Sequence, residues 1–131
     1  MINVSPEGVK WGVALVVFFV LRFLISLKRR KKRSQLRMLL GPNEKQFLDF
    51  LRLNYRQGHV SGHQIVAFFG KHKSSPESQR QFRAKLIDGL NKSLGLVFPG
   101  EQVLDIQADE KDQRMLTYRL TETIYQELKK L

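Results

Sequence analysis

The first pattern in the chain is an unbroken apolar run close to its N-terminus. Residues 11–27 read WGVALVVFFVLRFLISL, and only Arg22 and Ser26 interrupt the apolar side chains. In a helix, roughly 17 to 20 residues extend about 26 to 30 Å, which is enough to cross the hydrocarbon core of a membrane. The run therefore predicts one transmembrane helix.

Beyond this run, apolar side chains recur at helical spacing in three further segments. Asn43, Ser61 and Ser75 each stand where an N-cap is expected before such a segment. The third segment has the clearest start, because Pro76 follows the cap in the first turn. We expect this third helix to run to about residue 94 and to be closed by Gly95.

Two β-prone segments follow the third helix. Residues 103–107 and 115–120 flank the polar stretch ADEKDQR, which predicts a hairpin with an acidic tip. Residues 121–131 return to helical spacing. The chain is thus predicted as α+β: a tail and transmembrane helix (1–27), a basic linker (28–42), and a domain (43–131) of three helices, a hairpin and a C-terminal helix.

Charge assigns a side to the predicted anchor. The formal net charge is +11, and seven cations without an acidic residue lie between positions 28 and 37, directly after the apolar run. Short cation-rich flanks stay in the cytoplasm. A cleaved signal peptide has its positive charges before the apolar run. We therefore expect a retained single-pass anchor in an inner, or cytoplasmic, membrane, with the N-terminus outside and the domain in the cytoplasm.

The same segment predicts which side chains lie at the membrane surface. Trp11 suits the outer interface, and Arg22 can extend its guanidinium to the headgroups. The sequence KRRKKR at residues 28–33, called the basic run below, is either a topology signal or a nucleic-acid patch. Its position directly after the apolar run favours a topology signal, and such a run also binds anionic lipid headgroups. The membrane-surface candidates are Trp11, Arg22, Lys28, Arg29, Arg30, Lys31, Lys32 and Arg33.

The predicted order of helix, short extended link, helix, longer helix and hairpin resembles a winged helix-turn-helix. In detail it resembles the OmpR/PhoB-type effector domain and the related domain of antibiotic-regulatory activators. Residues 87–95, IDGLNKSLG, keep the apolar spacing and final glycine of the family's recognition helix, and residues 118–120 resemble its terminal tyrosine-arginine-leucine. The resemblance covers residues 43–120 and implies a winged-helix-like domain that binds DNA.

The resemblance implies a membrane-anchored DNA-binding transcriptional regulator, with the third helix in the major groove. The cations that would contact DNA lie on that helix and in the loop before it. These nucleic-acid-binding candidates are Arg80, Arg83, Lys85, Lys92, Lys71 and Lys73.

Acidic side chains support an alternative function. Asp88, Gly89 and Asn91 stand where the family usually presents arginines, and the hairpin tip carries three carboxylates that DNA phosphates would repel. The domain would then be a docking module for a protein partner, or a small subunit of an inner-membrane complex. The partner-binding candidates are Asp88, Asp109, Glu110 and Asp112.

Catalytic and metal chemistry find no support in the sequence. Cysteine is absent, which excludes a thiolate nucleophile and a cysteine-ligated zinc site. His59 precedes the Ser61 cap, so His59 and His63 do not share a helix face. No glycine-rich phosphate loop or nucleophile elbow occurs. We therefore predict that the protein is not an enzyme and has no cofactor and no metal site.

Overall fold

A computed structural model of the chain describes residues 6–112 and 114–131, and it is an α+β structure. The helices are α1 (Pro6–Leu39), α2 (Pro42–Asn54), α3 (Gly62–Phe68), α4 (Pro76–Val97) and α5 (Glu122–Lys129). A 3₁₀ turn (Tyr55–Gln57) follows α2. The strands are β1 (Val60–Ser61), β2 (Leu104–Ala108) and β3 (Leu116–Leu120).

The three strands form one antiparallel sheet in the order β1-β3-β2. In the hairpin, Leu104 pairs with Leu120, and on the other edge Val60 pairs with Tyr118. The predicted hairpin is confirmed, although each strand begins one residue later than expected. The strand between α2 and α3 thus joins a sheet whose other members come from the end of the chain.

Two of the three predicted helix caps are confirmed. Ser61 and Gln64 form a reciprocal capping box at the start of α3, and the Ser75 hydroxyl accepts a hydrogen bond from the backbone N–H of Ser78. The prediction that Asn43 caps α2 is wrong, because Gly41 is the N-cap and Pro42 is the first helical residue. Proline is well suited to that position, since its missing N–H has no partner there in any case.

The predicted end of α4 is also wrong. The helix continues through Gly95 to Val97, and Phe98 is its C-cap. Glycine in a helix interior costs only about 1 kcal/mol relative to alanine. Burial of Val97 and Phe98, which are 3% and 4% exposed, outweighs that cost.

The core lies where α2, α3, α4 and α5 meet the sheet. The helical spacing of apolar side chains in the third segment is confirmed, because α4 has an apolar face on which Leu86, Leu90 and Leu94 are buried and Phe82 and Ile87 are partly buried. The largest fully buried side chains are Phe47, Leu51, Ile65, Val66, Leu90, Leu94, Leu120 and Ile124.

The long helix α1 is continuous through the segment expected to be a linker. Leu36 belongs to the core and Leu40, just beyond the helix, packs against it. The N-terminal part of α1 is strongly apolar, and none of its most apolar stretch is buried. Its length and composition suit a membrane span, and they also suit an N-terminal signal sequence.

Candidate functional site

A cleft of about 280 Å³ lies between the first half of α4 and the hairpin. Arg80, Arg83 and Arg114 line it together with apolar side chains from both elements. We call these three residues the arginine cleft. It brings together two cations that the sequence singled out and one that it did not.

The arginines of α4 have different surroundings. Arg80 is exposed and forms an ion pair with Glu77 one turn earlier, at 2.8 Å, and this hydrogen bond lowers the pKa of the Glu77 carboxyl below its ordinary value. Arg83 is half-buried and lies against the backbone of Gly62. A Cβ atom at Gly62 would stand 2.7 Å from the Arg83 guanidinium, so only glycine leaves this side chain undisturbed.

Tyr118 forms part of the cleft from the sheet side. Burial raises the pKa of its phenol above the ordinary value, and the positive charge of Arg83 acts in the opposite direction. Leu116 also lines the cleft and remains half-exposed. The cleft therefore offers positive charge beside an apolar surface.

The other predicted cations are spread over the surface. Lys85 is exposed on α4, and Lys73 is exposed in the loop before it. Lys71 lies over the Phe82 ring, with its Nζ 5.8 Å from the ring centroid. Lys92 forms an ion pair with Asp88 at 3.0 Å, about 18 Å along the helix from Arg80. The structure does not bring these four lysines together.

Two of the three acidic candidates in the hairpin tip accept hydrogen bonds within the turn itself. The carboxylate of Asp109 accepts a hydrogen bond from the backbone N–H of Lys111, and that of Asp112 accepts one from Arg114, each at 3.1 Å. Glu110 is exposed. Local contacts of this kind are typical of aspartates that shape a turn. They occupy one carboxylate oxygen of each of the two aspartates.

The basic run divides over several sides of α1. Lys32 turns toward the domain, with its Nζ 5.1 Å from the centroid of the Phe98 ring. Three arginines, at positions 29, 30 and 33, line a groove with Arg22 and Lys130. Lys28 and Lys31 line a separate apolar groove. Trp11, near the other end of the helix, is 73% exposed.

Two basic residues of these sites are not among the candidates that the sequence indicates. Arg114 stands two positions before β3, at the end of a hairpin tip whose composition is mainly acidic and polar. Lys130 lies about a hundred positions from the basic run, and only the packing of α5 brings it near α1. No local signal in the sequence indicates that second contact.

A pair at 3.1 Å between His59 and Asp105 is the one contact of a histidine side chain with a carboxylate in the described ranges. Those ranges contain no group of three or more metal-ligating side chains.

Comparison of the chain with protein-family models, with curated proteins and with solved structures finds no match.

Proposed function

We propose that the protein is a membrane-anchored DNA-binding regulator, in which α4 enters the major groove and the β2-β3 hairpin acts as the wing. The observation that carries this proposal is the arginine cleft, which brings three arginine residues to one cleft between the two elements that would contact the duplex. Arginine is suited to phosphate oxygens and to guanine edges, because its planar fork donates two hydrogen bonds at once.

The topology supports a winged-helix assignment for the domain. Helix α2, the short strand β1, helices α3 and α4, and the β2-β3 hairpin follow one another in the order of that fold. The sheet order β1-β3-β2 agrees with it, since β1 lies beside the second strand of the wing. In this assignment α4 is the recognition helix, and its exposed face carries Arg80, Lys85 and Lys92.

The proposal places the domain in the cytoplasm beneath an inner membrane. Helix α1 is long and apolar enough to span, and the cations at positions 28–33 favour the cytoplasm for the residues that follow. The first half of α4 lies away from the membrane end of the domain, because α1 contacts the opposite end of α4 through Leu39 and Ser93. DNA would then approach the face farther from the bilayer.

A titration of the full chain with fluorescent duplex DNA tests this function. The chain is held in nanodiscs of zwitterionic lipid, and anisotropy is recorded over a salt series. We expect micromolar binding that weakens steeply with salt, because phosphate contacts release counterions. Since the basic run also attracts DNA, the decisive comparison is between variants.

The double variant Arg80→Ala with Arg114→Ala should weaken binding about tenfold and lower the salt slope by about two, one for each lost phosphate contact. Arg52→Ala with Arg56→Ala is the matched control, because it also removes two arginines, both of which are exposed and neither of which lines the cleft. Equal losses in both proteins would contradict the proposed DNA site and leave only general electrostatic attraction.

One observation favours the alternative of a protein-docking module. Asp88, Lys92 and Leu96 follow one another at intervals of four along α4, and Leu96 is 67% exposed. Such a mixed stripe suits a protein partner better than a duplex. Copurification of a defined partner from solubilised membranes, lost in Leu96→Asp and kept in the cleft variant, would favour docking over DNA binding.

A further inference from the structure

A strongly basic groove lies between α1 and the C-terminal end of α5. It has a volume of about 500 Å³ and is lined by Arg22, Arg29, Arg30, Arg33 and Lys130, with Ile25 and Ser26 beside them. No acidic side chain of the described residues lines it. We propose that this basic groove is a binding site for the headgroup of an anionic lipid that carries two phosphates.

The groove has a fixed geometry because α1 is packed against the domain. Positions 22, 26, 29 and 33 recur at intervals of four, three and four, which places them on one face of a helix. The same face continues to Leu36, which lies in the core, and is followed just beyond the helix by Leu40, which packs against the core. The packing of these leucines therefore sets the rotation of α1 and directs the arginines toward Lys130.

The position of the groove along α1 indicates a lipid rather than a soluble anion. Ile25 and Arg22 lie within the apolar run, while Arg30 and Arg33 lie beyond it. A molecule in the groove would thus extend from the apolar run, where Ile25 lies beside Arg22, to the guanidinium groups beyond that run, as a lipid does at the headgroup level. This argument rests on the membrane anchor of the proposed function.

The number of cations favours two phosphates over one. A single phosphate diester has one negative charge, whereas five cationic side chains line the groove. An arginine and a phosphate often form two parallel hydrogen bonds. Four arginines line the groove, so each of two phosphates can engage two of them. The ammonium of Lys130 also donates a hydrogen bond to the Glu127 carboxylate at 3.4 Å, which leaves its two other N–H groups for the ligand.

Native mass spectrometry of the full chain in neutral detergent micelles tests this site. The two lipids are cardiolipin, which has two phosphates, and phosphatidylglycerol, which has one. We expect the chain to retain cardiolipin with an apparent affinity several times higher than that for phosphatidylglycerol. Lys130→Gln should lower the affinity for cardiolipin about fivefold, the usual effect of one cation near an anionic surface.

The chain provides a matched control for each variant. Lys129→Gln removes the same charge one position away, from a side chain that lies over Tyr125 instead of the groove. Arg29→Gln with Arg33→Gln is compared with Lys28→Gln and Lys31→Gln, which remove the same charge from another side of α1. Only the first member of each pair should lose the preference for cardiolipin.

Three results would overturn the proposal. The first two are an equal loss of cardiolipin affinity in a variant and its control, and no preference for cardiolipin in the unaltered chain. The third is displacement of the lipid by millimolar inorganic diphosphate, which would mark a site for soluble anions. The intact mass also shows whether α1 is retained. Loss of α1 would remove the anchor and the lipid site together, whereas the DNA titration tests the arginine cleft separately.

Discussion

The hydroxyl of Ser93 donates a hydrogen bond to the backbone carbonyl of Leu39 at 3.2 Å, and this contact joins the middle of the domain to the end of α1. The last carbonyl groups of a helix have no partner within that helix. Ser93 provides one for α1 from a largely buried position on α4, where it is 9% exposed. The long helix is therefore attached to the domain by a specific polar contact as well as by apolar packing.

Replacing Ser93 with alanine should lower the free energy of unfolding by about 1 kcal/mol, because the Leu39 carbonyl loses its partner in a partly buried place. Urea unfolding of the full chain in micelles, followed by circular dichroism, measures this change. Ser34→Ala, at an exposed position of α1, should leave the free energy within about 0.5 kcal/mol. Equal effects would show that the hydrogen bond does not stabilise the joint.

Replacing Leu36 with alanine should destabilise the domain by about 2 to 3 kcal/mol, since Leu36 is 8% exposed and its removal leaves a cavity in the core. The same unfolding experiment applies. Met38→Ala is the matched control, because Met38 lies on the same helix and is 84% exposed. A small effect for Leu36 would mean that α1 packs only loosely on the domain.

Much of the fold was predictable from local patterns. The caps at Ser61 and Ser75, the apolar face of α4 and the hairpin all follow from spacing between near neighbours. Errors arose where tertiary contacts override such signals, as at Gly95, which helix α4 passes because Val97 is buried beyond it.

The candidate sites were predictable only in part. Arg80 and Arg83 belong to one helix face, so the sequence placed them together. Arg114 and Lys130 reach their clefts through the folding of distant segments, and Leu36 joins the core from a segment that reads as a charged linker. Charge and spacing along a chain do not record contacts between residues far apart in sequence.

Replacing Arg119 with lysine should lower the free energy of unfolding by about 1 kcal/mol, although lysine keeps the positive charge. Arg119 Nε and Nη2 both donate hydrogen bonds to the backbone carbonyl of Tyr55, at 2.9 and 2.6 Å. The guanidinium carbon also lies 4.1 Å from the centroid of the Tyr55 ring. Lysine cannot reproduce this paired geometry. Arg56→Lys, at an exposed position, serves as the control and should have no measurable effect.

The stability of the domain should decline in alkaline solution partly through Tyr118. Burial raises the pKa of its phenol in the folded chain above the ordinary 10.0, so the unfolded chain releases this proton first. The contribution of Tyr118 to the free energy of unfolding is fully present below about pH 10, and it is lost as the pH rises through the raised pKa of the folded chain. Unfolding free energies measured from pH 8 to 11 should fall less steeply in Tyr118→Phe than in Tyr125→Phe, which retains the buried phenol. Parallel curves for the two variants would contradict this assignment.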